Sequence, residues 1–317
     1  MTKYSLKEEN LIFIISQPRA GSTFLQRLLS NNEFVNTTSE PWILLQCASI
    51  LKPELLNATF SNKLTQWAFN EYKKGFPAVD FQKKEKEYIL SLYQPMAQGY
   101  TYVIDKTPRY WELVNEIPKL FPNAKIIILK RNPEDVLRSI IKTWQLKSVK
   151  ELSRFKRDLL LAPIELQAFL EKNQNNPNVL AVTYEALKQD LSAQTEAIYH
   201  WLQIPYSQEV LDIEQNHKAK GVFGDPYQNS NAPHTKETSL NSENRLSKKQ
   251  ENFISAYLNF LGQPFLNKYG YAIAKERNGV SSFSFKYFKT LHHEDHHWKN
   301  EATQGIKSKF LSLFNTL

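Results

Sequence analysis

The chain contains a single cysteine, Cys47, in 317 residues, which excludes an intramolecular disulfide and suits a reducing compartment. It has no apolar run that approaches membrane-spanning length, and residues 1–15 do not have the architecture of a signal peptide. These absences predict that the protein has no transmembrane segment, and a cytoplasmic location is expected.

A dense stripe of lysine and arginine with interleaved aromatic residues is also absent, so nucleic acid is not the expected partner. The net charge is nevertheless +8, from 40 basic and 32 acidic residues. This balance favours a strongly anionic ligand, although an anionic lipid surface would suit it as well.

The strongest local signal lies in residues 11–30. Residues 11–15 are all apolar, which is typical of a strand buried on both faces, and apolar residues recur at helical spacing over residues 24–29. The loop between them contains Arg19 and Gly21. A helix that opens with free backbone N–H groups beside such a loop is an anion site, and a plain strand-to-helix turn with a solvent-facing arginine is the alternative.

This loop departs from the standard phosphate-binding loop of nucleotide hydrolases and kinases. Gly21 and Thr23 fit G-x-x-x-x-G-K-[ST], but Ser16 replaces the first glycine and Ser22 replaces the lysine. The cation is instead Arg19, inside the loop. The missing lysine disfavours an ordinary ATPase or kinase, and the ligand type is expected to be a phosphate or sulfate ester.

A second anion site is predicted in residues 125–144. Another apolar run suits a buried parallel strand, and Asn132 and Pro133 mark the turn into a helix. Arg131 would lie at the carboxyl end of that strand, where α/β sheets bind ligands, and Ser139 could face the same crevice. The alternative is a surface arginine beside Glu134 or Asp135.

Four segments in order resemble the sulfotransferases that use 3′-phosphoadenosine 5′-phosphosulfate (PAPS). They are QPRAGST at 17–23, DKTPRY at 105–110, KRNPEDV at 130–136, and KAKGVFGD at 218–225. In the last segment Ala219 stands where the family has an arginine. The resemblance implies an α/β fold, with a P-loop-like, mainly parallel sheet flanked by helices, and covers the chain through about residue 274.

The resemblance implies a set of donor contacts. The 5′-phosphosulfate would be bound by Arg19, Ala20, Gly21, Ser22, Thr23 and Phe24. The 3′-phosphate would be held by Arg131, Ser139, Lys218, Lys220 and Gly221, and the adenine would contact Tyr184, a residue that could equally be part of the core. The family needs no metal, and the expected product is 3′-phosphoadenosine 5′-phosphate (PAP).

The resemblance also implies catalytic roles. Glu40, in Ser-Glu-Pro-Trp, occupies the position of the proposed catalytic glutamate of bacterial members, although an exposed or helix-capping glutamate is the alternative. Arg19 and Lys106 are candidates to stabilise charge on the leaving group. The predicted substrate-binding residues are Trp42, Arg109, Trp111 and Ser239. Ser239 resembles a late serine that contacts the sulfate, either tryptophan could instead pack in the core, and solvent contact is the alternative for Arg109.

The predicted function is transfer of a sulfuryl group from PAPS to a hydroxyl or amine of a small metabolite or natural product. Carbohydrate or protein-tyrosine sulfation are the alternatives within the same class. Outside that class, the alternatives are a nucleotide kinase and a non-catalytic PAP-binding or membrane-associated interaction protein.

The predicted domain covers residues 1–275, and residues 276–317 form a helical, His-rich extension. Residues 293–297 match H-E-x-x-H, a zinc-protease signature, but a third zinc ligand is not evident and a solvated tail is expected. The apolar stripe of residues 306–317 could dock on the same chain, pair with another subunit or lie on a membrane surface, and docking is favoured. For the oligomeric state, the sequence is compatible with both a monomer and a homodimer.

Overall fold

The computed structural model describes residues 6–146, 150–213, 218 and 246–271. Within them, five strands form one parallel sheet in the order β2-β3-β1-β4-β5. The strands are β1 (Leu11–Ser16), β2 (Val35–Thr37), β3 (Tyr102–Lys106), β4 (Lys125–Lys130) and β5 (Val179–Thr183). This sheet and its flanking helices confirm the predicted fold class.

The α-helices up to Lys172 lie between successive parallel strands, and those from Tyr184 onward follow the last strand. They are α1 (Ser22–Ser30), α2 (Ile43–Gln46), α3 (Ala48–Leu51), α4 (Asn62–Lys74), α5 (Phe81–Tyr93), α6 (Ile117–Leu120), α7 (Pro133–Thr143), α8 (Lys156–Leu160), α9 (Ala162–Lys172), α10 (Tyr184–Gln189), α11 (Leu191–Leu202), α12 (Lys248–Leu261) and α13 (Gln263–Tyr269). Short 3-10 helices cover Glu8–Asn10, Pro53–Leu55, Gln94–Ala97, Pro108–Leu113, Lys150–Phe155 and Gln208–Leu211.

The sequence predicts most of the longer elements to within a few residues, but it misses the short helices α6 and α13 and differs in three further places. The short strand β2 was missed, because three residues are too few to show an alternating pattern. The sequence predicts one helix over residues 43–51, and the structure has two single-turn helices that meet at Cys47. The sequence also predicts one long helix over residues 148–174, with leucines on one side, and the structure has a 3-10 segment followed by α8 and α9.

The strand register assigns the two faces of the sheet. Phe13 of β1 lies beside Asp105 of β3, and Ile14 lies beside Lys106. Because side chains alternate along a strand, Asp105 and Lys106 point to opposite faces. The face of Ile14 packs against α1, α10 and α11 in a buried apolar cluster, whereas Phe13 packs against the rings of Tyr93 and Tyr110.

The chain divides into two compact units, Met1–Ser139 with Ala162–Glu237, and Ile140–Leu161 with Thr238–Leu317. In the second unit, Ser247 and Gln250 form a capping box that starts α12, and Gln250 donates to the carbonyl oxygen of Leu146 at 2.8 Å. The predicted domain boundary at residue 275 lies outside the described residues. No helix in the described ranges is long and apolar enough to cross a membrane.

Candidate active site

The loop between β1 and α1 is held in an unusual backbone conformation. Arg19 and Gly21 have positive φ values of 72° and 97°. Gly21 is required by space as well as by conformation, because a Cβ there would lie 2.4 Å from Cδ2 of Tyr184. The loop therefore packs directly against the Tyr184 ring at the start of α10.

Arg131 lies where β4 ends and contacts this loop. Its Nη1 donates to the carbonyl oxygen of Arg19 at 3.2 Å, and its guanidinium stacks over the ring of Tyr184 at 4.5 Å. Its Nε is buried and makes no hydrogen bond to any residue that the structure describes. A buried donor of this kind requires a partner, which an ordered water or a ligand oxygen would supply.

Arg19 extends toward the same place. Its Nε donates to Oγ of Ser139 on α7 at 3.4 Å. The turn before α7 is fixed to α10, because the backbone N–H of Asn132 donates to Oε1 of Glu185 at 2.9 Å. Arg19, Arg131, Ser139 and Tyr184 thus form one group at the carboxyl ends of β1, β4 and β5.

A second group surrounds Lys106, the last residue of β3. Its Nζ donates to Oε1 of Glu40 at 3.0 Å and to Oγ1 of Thr23 at 3.3 Å. The side chain of Lys106 is 0% exposed and that of Glu40 is 16% exposed. The lysine therefore links the first turn of α1 to a carboxylate that solvent can still reach.

Glu40 is held on its other oxygen by Trp42. The indole Nε1 of Trp42 donates to Oε2 of Glu40 at 3.2 Å, and Trp42 itself has a left-handed backbone with φ 54°. Such a conformation costs a non-glycine residue about 1–3 kcal/mol and tends to occur at functional sites. The guanidinium of Arg109 lies 5.9 Å from the Trp42 ring, on the residue that holds Glu40.

A buried polar network lies behind Lys106, and the sequence analysis missed it. The carboxylate of Asp105 accepts hydrogen bonds from the hydroxyls of Tyr93 (2.7 Å), Tyr110 (2.8 Å) and Thr107 (2.8 Å). Burial raises the pKa of Asp105 to about 6, although these three donors oppose the rise. The available signal was an aspartate directly after the apolar residues of β3, because a carboxylate buried there requires partners.

A sequence model described as the sulfotransferase family matches residues 11–208, more than half of the chain. The chain belongs to the sulfotransferase family. The matched range contains both groups of residues described above.

Two curated proteins are similar to parts of this chain. Nodulation protein NoeE of Sinorhizobium fredii is 29% identical over 141 residues, which cover 44% of this chain and 33% of NoeE. Protein-tyrosine sulfotransferase A of Caenorhabditis elegans is 23% identical over 207 residues, which cover 64% of this chain and 52% of that enzyme. The chain thus spans about a third to a half of the length of these relatives.

Solved structures of sulfotransferase domains are similar to this chain. The domain from the curacin biosynthetic pathway has a TM-score of 0.48 at 18% identity and covers 89% of this chain and 97% of its own. The domain from the olefin synthase of Synechococcus PCC 7002 has a TM-score of 0.47 at 17% identity, and the match covers 92% of this chain and 98% of that domain.

Not every predicted site residue of this sulfotransferase-family chain joins the two groups. Lys218 donates to the carbonyl oxygens of Asn32 (2.6 Å) and Val35 (2.9 Å), at the amino end of β2 and so at the opposite edge of the sheet. Trp111 is only 3% exposed. Lys220, Gly221 and Ser239 lie outside the described residues, as do H-E-x-x-H at 293–297 and the apolar stripe at 306–317.

The described residues hold no cluster of three or more histidine, cysteine, aspartate or glutamate side chains arranged to bind a metal ion. The cations of both groups are instead side chains of arginine and lysine. Ala20, Ser22 and Phe24 complete the loop and the first turn of α1, and Phe24 makes an edge contact with Tyr184 at 6.3 Å between ring centroids.

Proposed function

We propose that this chain transfers a sulfuryl group from PAPS to a hydroxyl or amine of a small-molecule acceptor. The observation that carries the proposal is a pair of cationic groups at one edge of the sheet, joined by the loop that contains Gly21. One group centres on Arg131 and Arg19, and the other on Lys106 beside the carboxylate of Glu40. PAPS has anionic groups at both ends of its ribose, which matches two separate cationic groups.

The residues of the loop suit a phosphosulfate. Helix α1 begins at Ser22, and the first backbone N–H groups of a helix lack partners inside it, so they bind anions. The hydroxyl of Ser16, at the end of β1, is buried without a hydrogen-bond partner among the described residues. Gly21 allows the loop to take its left-handed turn and to pack directly against Tyr184.

The 3′-phosphate would bind at Arg131 and Ser139. The buried Nε of Arg131 offers an unused donor, and its stacking on Tyr184 fixes the guanidinium plane next to an aromatic surface suited to adenine. Arg19 stays a proposed contact to the 5′-phosphosulfate and the leaving group, and its hydrogen bond to Ser139 brings it close to the 3′-phosphate region as well. Lys220 and Gly221 stay predictions for this role, and the position of Lys218 at the opposite edge does not support it.

In the proposed reaction Glu40 accepts the proton of the acceptor hydroxyl or amine. The freed electron pair forms the new bond to sulfur as the bond from sulfur to the bridging oxygen breaks, and that electron pair leaves with PAP. Lys106 stabilises the negative charge that develops on the leaving oxygen, as positioned cations do in phosphoryl transfer. Because Lys106 and Trp42 each donate to one oxygen of Glu40, the carboxylate direction is fixed before the acceptor arrives.

A small acceptor is favoured by the enclosure of Glu40. The carboxylate is only 16% exposed and lies beside Trp42, whose ring is accompanied by Arg109. We further propose that residues 1–275 form the catalytic domain and that the enzyme acts in the cytoplasm. The role of Trp111 in acceptor binding and the contact of Ser239 with the sulfate stay predictions.

The direct test is incubation of the purified protein with PAPS and pools of small alcohols, phenols, amines, oligosaccharides and tyrosine peptides. The expected result is a mass increase of one sulfonate on a small acceptor, with release of PAP, and a much lower yield with Glu40→Gln. Transfer only to oligosaccharides or peptides would overturn the acceptor class. No PAP release with any pool, from a protein that binds PAP, would overturn the proposed activity.

A further inference from the structure

We infer that Tyr110 is a positioning residue for Glu40, acting through the start of α2 and held in place by Asp105. The inference rests on the proposed function, because it takes Glu40 to be the base. None of the three residues that transmit the effect, Leu44, Tyr110 and Asp105, is exposed to solvent.

The hydroxyl of Tyr110 has two partners with fixed roles. The backbone N–H of Leu44 donates to it at 2.9 Å, and it donates its single proton to Oδ2 of Asp105 at 2.8 Å. Because Asp105 is an acceptor when ionised, it orients the phenol proton and leaves an oxygen lone pair for Leu44. Tyr110 therefore connects α2 to β3.

Glu40 lies on the chain between two such connections. Upstream, Nε2 of Gln26 on α1 donates to Oγ1 of Thr37 and to the carbonyl oxygen of Thr38, both at 2.7 Å. Downstream, Leu44 is held by Tyr110. Between them, Trp42 adopts its left-handed conformation and donates to Glu40, so the position of Leu44 determines the direction of both side chains.

The same strand sets the position of the partner of Glu40. Asp105 precedes Lys106 on β3, and the two side chains project to opposite faces of the sheet. Asp105 thus fixes the segment that carries Glu40, while Lys106 fixes the carboxylate itself. Loss of the Tyr110 hydroxyl would release the α2 end of the segment and leave β3 and the donor-binding group unchanged.

Tyr93 provides a matched control. Its hydroxyl donates to the same oxygen of Asp105, at 2.7 Å, and both rings pack against Phe13. It does not accept the Leu44 N–H, which belongs to Tyr110. Tyr93→Phe and Tyr110→Phe therefore remove equivalent donors from Asp105, and only Tyr110→Phe removes the contact to α2.

The experiment compares kcat, acceptor KM and PAP affinity for these two variants at saturating PAPS, whose binding favours the folded state. Tyr110→Phe is expected to lower kcat about 10- to 100-fold, because misplacing a catalytic group by about 1 Å has effects of that size. Tyr93→Phe is expected to change kcat less than about threefold, since the α2 contact remains. PAP affinity should stay near the wild-type value in both.

A double variant separates positioning from general structural damage. In the Glu40→Gln background, Tyr110→Phe is expected to have almost no further effect on the residual kcat, because residues that act through one another are not additive. Equal loss of kcat in both tyrosine variants, or full additivity with Glu40→Gln, would overturn the inference. Full turnover of Glu40→Gln alone would instead show that the base is misassigned.

Discussion

The ammonium of Lys106 lies 3.0 Å from a carboxylate oxygen of Glu40, and the lysine side chain is completely buried. The two residues come from consecutive strands of the sheet order, Lys106 from the end of β3 and Glu40 from the segment after β2. Removing either partner of such an ion pair destabilises the folded protein, because the remaining charge is left without compensation.

Glu40→Gln tests the base directly. The amide oxygen can still accept the hydrogen bond from Lys106, whereas the amide nitrogen cannot accept the one from Trp42, and the side chain can no longer take a proton. We expect kcat to fall about 10²- to 10⁴-fold, while the dissociation constant for PAP, measured by calorimetry, changes little. Glu54→Gln, an exposed carboxylate, serves as the control. Wild-type turnover by Glu40→Gln would contradict the role of this residue.

Lys106→Met tests the stabilisation of the leaving group and the strength of the ion pair. We expect kcat to fall by at least about 10²-fold. Unfolding in urea should show a loss of about 1–3 kcal/mol, below the usual figure for a fully buried pair, because solvent can still reach Glu40. The double variant Lys106→Met with Glu40→Gln should recover part of that stability. If the double variant is no more stable than Lys106→Met alone, the uncompensated carboxylate of Glu40 is not the cause of the lost stability.

Gly21→Ala tests the close approach of the loop to Tyr184. The new Cβ would lie 2.4 Å from the ring and the backbone would keep φ 97°. Gly99→Ala is the matched control, since Gly99 also has a positive φ, 80°, but a Cβ there would meet no described atom within 4 Å. Gly99→Ala is expected to cost about 1 kcal/mol of stability, and Gly21→Ala more than twice that, with weakened PAP binding.

Equal losses of stability in the two glycine variants would mean that the Tyr184 ring can move away from the new Cβ at no cost in free energy, and would contradict the predicted steric conflict. Thermal unfolding without PAP measures the loss of stability in each variant. The rise in melting temperature on adding PAP measures binding, because a ligand that binds only the folded state raises the melting temperature.

Asp105 should give the stability of the protein a specific dependence on pH. Burial raises its folded-state pKa from 3.8 to about 6, so between these values the folded state binds a proton that the unfolded state does not. Protonated Asp105 therefore contributes its full share of the unfolding free energy below about pH 4. This contribution, roughly 3 kcal/mol, is lost as the pH rises through 6.

The difference between the unfolding free energies of the wild type and Asp105→Asn isolates this contribution from pH 4 to pH 7. The wild type should lose stability relative to the variant over this range. Other carboxyl groups with a raised pKa, such as Asp135, are present in both proteins and cancel in the difference. Parallel curves would show that Asp105 keeps an ordinary pKa in the folded protein.

The loop and the strand ends could be predicted because each is local in the sequence. Buried parallel strands are continuous apolar runs, and the residues just beyond their carboxyl ends, such as Arg19 and Arg131, meet in space by topology alone. Glu40 was found only through a resemblance, since the strand before it, β2, is three residues long.

The Asp105 network could not be predicted in the same way. Its donors, Tyr93 and Tyr110, come from α5 and from the 3-10 helix Pro108–Leu113, and the sequence does not specify which tyrosines meet a given carboxylate. For Lys218, the resemblance predicts a role that the position of the side chain does not support. A basic residue in a family-like segment was expected beside the 3′-phosphate, and it binds backbone carbonyls at the other edge of the sheet.

The most direct test of the proposed PAPS dependence compares the binding of PAP and of 5′-AMP, which lacks the 3′-phosphate, to the wild type and to Arg131→Met. Because hydrogen bonds to charged groups contribute about 1.5–3 kcal/mol, we expect the wild type to bind PAP about 10- to 100-fold more tightly than 5′-AMP. Arg131→Met should abolish most of that preference and leave 5′-AMP affinity nearly unchanged. Equal affinity of the wild type for PAP and 5′-AMP, or a PAP preference that survives Arg131→Met, would contradict the proposed donor site.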